Sequence, residues 1–339
     1  MSAVTINDIA RVLGIANSTV SRALHDDPRI SQRVKQEVKQ AAARMGYVPN
    51  IAARSLRTGQ SKMIGFLMRD IRDGLSSEMI PPVEAACADH GFGLLLCNAD
   101  DDPEVERYYL RVLQQRRVDG VLILTPTSPT ADPYLSFGRS MPLVLVDTEL
   151  ASHPLCSISV DHVMGGYLAS HHLLELGHRR IACLTGPMHL SPCIRVAEGY
   201  KRAMAEAGLG PEEHVVVVSE ETGIADGYAG LLDVLKISPQ PTAMVTVSDV
   251  MAAGALDAAR QHGLRVPQDF SIVGYDDIPL SALLSPPLTT IVQDKETLGR
   301  QAVELLWEEI TAAGPPEHRH RQVIVPPRLV VRGSTCSTA

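Results

Sequence analysis

The stretch Thr5–Leu24, "TINDIARVLGIANSTVSRAL", decides how this chain is read. Ile6, Ile9, Ala10 and Leu13 recur at helical spacing, so its first half is an amphipathic helix. Thr5 stands at the helix start with Asp8 three positions on, a capping-box spacing that also complements the positive helix end. Gly14 supplies the left-handed residue that ends the helix. A second helix follows almost at once, with Val20, Ala23 and Leu24 turned toward the first, and the pair makes a helix-turn-helix. Asn17, Ser18, Ser21 and Arg22 are then left on the outer face, near the end that enters a DNA major groove in this motif. Asn pairs with adenine, Arg with guanine O6 and N7, and Ser or Thr with base edges or phosphates. The competing reading is a generic amphipathic helix with a polar outside.

Working outward, a third helix starts at Ser31, with Val34, Val38, Ala41 and Met45 as its inner stripe. Gly46 stops it and Pro49 forbids its resumption. Residues 50–58 are too short for an independently stable helix and could fold only against a partner and DNA. Charge separates this head from the rest. Residues 1–60 hold nine Lys/Arg against four Asp/Glu, a balance of +5, which leaves −13 for residues 61–339 of a chain whose net charge is −8. A basic head on an acidic body points to a polyanion as the head's partner.

From Lys62 the chain alternates strands and helices. "KMIGFLM", "FGLLLCN", "GVLILT" and "PLVLVD" are continuous apolar runs of the kind buried parallel strands show. Helices are expected at Ser77–His90 and Pro103–Arg116 between them. A second set follows in "RIACLTG", "HVVVVS", "AMVTVS" and "FSIVGYD". Two sets imply an α/β body of two doubly wound parallel-sheet subdomains with a cleft between them, where ligands sit beyond the carboxyl ends of the strands. Arg69 and Asp73 follow the first strand, Asp147 follows "PLVLV", Ser248 and Asp249 follow "AMVTV", Asp276 follows "SIVGY", and Arg195 follows "CLTG". Alternating carboxylates and guanidinium groups suit the hydroxyls of a sugar, since the first accept and the second donate hydrogen bonds. The alternative for any one of them, Asp161 and Asp249 above all, is a helix cap.

The sequence resembles the LacI/GalR family of bacterial transcription repressors. The motifs are "TINDIARVLGI…STVSRAL", "RMGYVPN", "AARSLRTG", "GHRRIACLTG", "VPQDFSIVGYDDIP", "PPLTTIVQD" and "RLVVRGST", which together span essentially the whole chain. The resemblance implies a homodimeric regulator that binds a pseudo-palindromic operator and responds to a small molecule. It implies a helix-turn-helix domain over residues 1–49, a hinge helix and linker over 50–61, and an effector-binding and dimerisation domain over 62–339. The last has the type I periplasmic-binding-protein fold, with an N-subdomain of about 62–160 plus 292–321, a C-subdomain of about 161–291 plus 322–332, and chain crossings near residues 160, 291 and 322. Asn17, Ser18 and Arg22 fall where the family reads bases. Thr5, Thr19, Ser21 and Arg29 match its phosphate contacts. Asn50, Ala53 and Leu56 fall on its hinge helix, Leu56 at the residue that wedges into the minor groove and bends the duplex. Effector contacts are implied at Arg69, Asp73, Asp147, Arg195, Ser248 and Asp276 or near them, and at Gln293.

Four departures from the family pattern matter. Ala16 replaces the usual serine before the recognition helix, which leaves Asn17 to cap it. "DGLSS" replaces "NPFF" after the first strand, Thr222 stands where some relatives have an aromatic, and Arg195 is four rather than three residues before Gly199. Fewer rings and an extra Arg69 lean toward a polar effector, a sugar or a sugar acid.

Other classes find little support. GxGxxG, P-loop, HExxH and GxSxG are absent, so no enzyme and no cofactor is expected. Six cysteines are scattered without paired spacing, as in a reducing compartment. With no signal peptide and no apolar run near the ~20 residues of a membrane span, the expected place is the cytoplasm, without a membrane partner. "EHRHRQ" (317–322) reads as a solvated loop or edge strand rather than a metal site, His171, His172 and His178 as packing or capping, and Trp307 as packing. No leucine heptads follow "VVRGST", so no tetramerising tail is expected. The rival reading is a periplasmic-type sugar-binding protein without DNA function, which would have no use for residues 1–60.

Overall fold

The structure, a computed structural model, describes residues 4–47, 59–128, 130–148, 154–312 and 320–338. The chain divides into two compact units, Met1–Ser61 and Lys62–Ala339. Among the described residues, no helix is long and apolar enough to cross a membrane.

The first unit contains α1 (Ile6–Leu13), α2 (Asn17–Leu24) and α3 (Gln32–Met45). At the start of α1 the Asp8 carboxylate accepts both the Thr5 N–H (3.0 Å) and the Thr5 hydroxyl (2.7 Å). Gly14 (φ +65°) ends α1, and Gly46 (φ +66°) ends α3, a conformation that costs glycine no Cβ clash. Ile9, Val20, Ala23 and Val38 are wholly buried between the three helices. So small a core follows from short helices that each offer one apolar stripe.

The second unit holds two six-stranded sheets. In chain order its elements are β1 (Met63–Met68), α4 (Gly74–Asp89), β2 (Gly93–Asn98), α5 (Pro103–Gln115), β3 (Gly120–Leu124), α6 (Asp132–Gly138), β4 (Leu143–Val146) and β5 (Cys156–Val160). Then follow α7 (His162–Glu175), β6 (Ile181–Thr185), α8 (Ser191–Glu206), β7 (Val215–Val218), α9 (Ile224–Leu235), β8 (Ala243–Thr246), α10 (Asp249–Gln261), β9 (Ser271–Asp276) and α11 (Pro279–Leu283). The chain finishes with β10 (Thr289–Val292), α12 (Lys295–Thr311), β11 (Gln322–Val325) and β12 (Arg328–Val330). The first sheet runs β11-β5-β4-β3-β1-β2, all parallel; the second runs β12-β10-β9-β8-β6-β7, parallel except for β12. Apolar side chains cover both faces of each. Phe66 and Leu122 pack with α4 and α12, while Leu67 and Val121 pack with α5 and Tyr134.

Three details differ from the sequence expectations. The helix expected from Ser77 starts at Gly74, because the Asp73 carboxylate accepts the Leu75 N–H at 3.4 Å and caps it there. Strands β5, β10, β11 and β12 carry too few apolar residues to stand out as runs. The last crossing between the sheets falls after Val325, not near residue 322. Residues Gln322–Val325 pair in parallel with Ser157–Val160 of the first sheet. Pro326 and Pro327 then cannot donate to a ladder, and the chain turns to the second sheet. The other crossings lie at Asp161, between β5 and α7, and at Gln293, between β10 and α12.

In the second sheet's helical layer α7 and α8 touch backbone to backbone. A Cβ on Gly166 would lie 2.1 Å from the Val196 carbonyl oxygen, and one on Gly199 would lie 2.0 Å from that of Val163. Only glycine permits this approach, and it fixes where Pro192, Cys193 and Val196 of α8 meet the space between the subdomains.

Candidate functional site

On the first unit, α2 presents a polar face. Asn17, Ser18 and Arg22 are exposed, and Thr19 and Ser21 are half-buried. Arg22 has no ion-pair partner among the described residues. Thr5 is exposed beside this face, engaged with Asp8. Arg29 grips the Asp27 carboxylate through Nε (3.0 Å) and Nη2 (2.7 Å), so its charge is locally balanced. That grip holds the Asp27 carboxyl well below the usual range. Asn17 does not cap α2. It is the first helical residue, and its Nδ2 reaches across to Asn7 Oδ1 on α1 at 2.6 Å, leaving the Ala16 end without a side-chain cap. Asn50, Ala53 and Leu56 lie outside the described residues.

In the second unit, the strand ends of both sheets meet around a narrow space of about 40 Å3. Arg69, Asp73, Asp147, Ser248, Asp276 and Gln293 line it. Arg195 does not. Pro192, Cys193 and Val196 take the inward face of α8, and residue 195 is turned to the side, where it pairs with Glu198 at 2.9 Å. Thr222, already marked by the family pattern, lines the space too, as do Thr125, His162 and Tyr275, which carry no signal in a single sequence.

Arg69 is buried at the end of β1. Its guanidinium lies 3.2 Å from Asp101 and 3.8 Å from Asp73, and it donates across the cleft to Thr222 Oγ1 at 3.3 Å. Among the described residues its Nε has no hydrogen-bond partner, nor does the buried Oε1 of Gln293. Gln293 donates through Nε2 to Asp276 Oδ1 at 2.6 Å. Lys295 donates to the Asp276 carbonyl and, at 3.0 Å, to that of Asp277. Ser248 caps α10 by accepting the Met251 N–H at 3.1 Å, and its hydroxyl donates to the Thr222 carbonyl at 3.3 Å.

Asp147 ties the two subdomains through a relay. Its Oδ1 lies 2.9 Å from His162 Nε2, and His162 Nδ1 lies 3.0 Å from the Tyr275 hydroxyl. Both contacts are hydrogen bonds when a neutral His162 donates from Nε2 and accepts the Tyr275 O–H at Nδ1. Thr125 (φ +48°), Asp147 (φ +55°) and Asp276 (φ +104°) hold left-handed backbone at three strand ends. Such positions cost about 1–3 kcal/mol each and concentrate where a ligand must be met.

The electrostatics are acidic. Burial pushes the Asp73 carboxyl up, offset in part by Arg69. Burial also raises Asp276 well above the ordinary range, with Asp73 and Asp249 adding repulsion. Asp249, the first residue of α10, does not cap it. It accepts Thr290 Oγ1 (2.5 Å) and the Ile278 N–H (2.9 Å), and burial pushes it up to about 7. Asp161 does cap α7, by accepting the Met164 N–H at 2.8 Å. Trp307 packs against the core between the first sheet, α4 and α12 and stacks on His90 at 4.7 Å. His172 and His178 bond Thr335 and Thr242, away from the cleft.

Comparison with known proteins agrees with this architecture. The family described as "Bacterial regulatory proteins, lacI family" matches residues 5–50, and "Periplasmic binding protein-like domain" matches residues 170–335. The ribose operon repressor of Escherichia coli (strain K12) is 35% identical over 332 residues, covering 97% of this chain and 99% of that protein. The transcriptional repressor PurR of Haemophilus influenzae (strain PittEE) is 35% identical over 336 residues, covering 98% and 99%. The structure of the lac repressor dimer bound to operator and the anti-inducer ONPF superposes with a TM-score of 0.88 at 27% identity, covering 99% and 100%. End-to-end matches to repressors support a DNA-binding regulator over a binding protein that has no use for the head, and the chain belongs to the lacI family of bacterial regulatory proteins.

Proposed function

We propose that this protein is a dimeric operator-binding repressor, and not an enzyme, whose effector is a small neutral sugar bound in the cleft of the second unit. The observation that carries the effector class is the charge balance of the cleft. Arg69 is already faced by Asp73 and Asp101, Asp147 adds a further buried carboxylate, and Asp276, its carboxyl raised well above the ordinary range by burial, offers no positive charge to an anion. A ligand carboxylate would meet this excess of negative charge, whereas sugar hydroxyls donate to carboxylates and to Gln293 Oε1 and accept from Arg69 Nε. Of the two ligand classes that the sequence suggests, the neutral sugar therefore fits better than the sugar acid. A purine base is also disfavoured, because the two rings of the lining, His162 and Tyr275, are buried and held in the Asp147 relay, and Thr125, Thr222 and Ser248 offer none. The ribose operon repressor among the relatives is in keeping with a sugar.

About 40 Å3 holds a few waters and no sugar, so the walls must part for the effector to enter. Binding that differs between open and closed cleft then shifts the regulator's equilibrium between DNA-binding states. In the head, Asn17, Ser18 and Arg22 read bases, Thr5, Thr19, Ser21 and Arg29 meet phosphates, and Leu56 bends the operator. Arg29 must exchange Asp27 for a phosphate to do so.

Calorimetric titration with neutral pentoses and hexoses, the matching aldonic acids and purine bases tests the effector. A neutral sugar should bind best and should also change gel mobility of the upstream DNA. Preference for an aldonic acid or a purine rejects the proposal. The DNA affinity should fall steeply with salt, as phosphate contacts require.

A further inference from the structure

We propose a zinc-class metal site, remote from the cleft, formed by Cys156, Glu309 and His320 at the outer edge of the first sheet. The three residues come from three elements. Cys156 opens β5, Glu309 lies in the last turns of α12, and His320 stands just before β11. One ligand atom from each lies within 4.8 Å of the other two, and His320 Nδ1 is 3.3 Å from Glu309 Oε1.

The surrounding contacts hold these donors together. β11 pairs with β5 in parallel, Gln322 opposite Ser157, which brings residue 320 to the start of β5. Arg321 Nη1 lies 2.9 Å from both carboxylate oxygens of Glu308 and clamps the strand's entry to α12. The residues next to that clamp are the ligands His320 and Glu309. The Arg321 backbone N–H also donates to Cys156 Sγ at 3.3 Å, the kind of outer contact that supports a metal-bound thiolate.

A thiolate, an imidazole and a carboxylate are donor types of zinc, whose open sites use three protein ligands and take a fourth from solvent or another group. The sulfur disfavours calcium and magnesium, which prefer all-oxygen shells. Glu309 and His320 also line a space of about 540 Å3 with Met141 and Leu155, which leaves room for the fourth ligand. The cleft lies at the other end of β5, roughly 13 Å from Cys156 to Val160 at the usual rise per residue. The metal would brace the sheet edge against α12 and would not touch the effector.

The test titrates metal-free full-length protein with cobalt(II), a spectroscopic stand-in for zinc. One equivalent should give a thiolate-to-cobalt charge-transfer band with the visible bands of tetrahedral cobalt, and one equivalent of zinc should abolish both. Cys156→Ala and His320→Asn should lose the band, and Cys97→Ala should keep it. His320 is partly exposed, so His320→Asn serves as the test if Cys156→Ala does not fold. No band in the unaltered protein, or an unchanged band in Cys156→Ala or His320→Asn, overturns the site.

Discussion

Replacing Arg69 by Met keeps most of the side chain's volume and removes the one guanidinium that Asp73 and Asp101 share. At an effective dielectric constant of about 20, charges 3.2 and 3.8 Å apart attract by about 5 and about 4 kcal/mol. The cost of burying Arg69 offsets much of that in the native protein, but truncation leaves two carboxylates unmatched, for which about 3–5 kcal/mol is typical. The loss should depend on pH. Asp73 is already raised by burial, and Arg69 is what pulls it back down. Without Arg69 the folded-state value rises further. An acid raised in the folded state contributes stability below its unfolded value and loses it as pH rises through the folded value. The gap between Arg69→Met and the unaltered protein should therefore widen as pH rises above the ordinary carboxyl range, by up to about 1.4 kcal/mol per pH unit for one extra proton. Urea unfolding of both proteins across that rise in pH, followed by circular dichroism, measures the gap. A penalty that stays constant with pH, or falls below about 1 kcal/mol at neutral pH, would refute an electrostatic role for Arg69 in holding the cleft.

Three further outcomes follow from other parts of the molecule. Asp249, raised to about 7 by burial, should make the protein lose stability as pH rises from the ordinary carboxyl range to about 7, and Asp249→Asn should flatten that part of the pH profile in urea titrations. Gly199→Ala should destabilise by roughly 1–3 kcal/mol, read as a lower Tm, because the clash with the Val163 carbonyl outweighs alanine's better helix propensity. An unchanged Tm would mean that α7 and α8 separate easily. Arg22→Ala should cost about 1–3 kcal/mol of operator binding, confined to one base position per half-site. Equal losses on every operator variant would assign Arg22 to phosphate contact instead.

Much of the fold is legible in the sequence because long apolar runs are a local signal. "GVLILT" and "PLVLVD" read as buried strands from their short length and branched residues, and Gly14 and Gly46 fall where left-handed residues end helices. Strands such as Cys156–Val160 are different. Their serines alternate with apolar residues, and they are strands because a neighbour pairs with them, not because their own pattern demands it. The same limit governs the cleft. That acids follow the strand ends is visible in order along the chain, but that Arg69 meets Thr222 depends on the strand ends of two sheets being brought together by three chain crossings.

His162 shows why those crossings matter for mechanism. It directly follows the crossing residue Asp161, so it belongs to α7 by helix and to Asp147 by hydrogen bond. Arg69, Asp73 and Asp147 come from the first sheet's side, while Thr222, Ser248 and Asp276 come from the second. A sugar that bonds both groups gains contacts only when the walls are together, and one that bonds a single group gains nothing from closure. The direction of the regulatory response therefore depends on which hydroxyls span the gap, since a ligand shifts an equilibrium only by its difference in affinity for the two states.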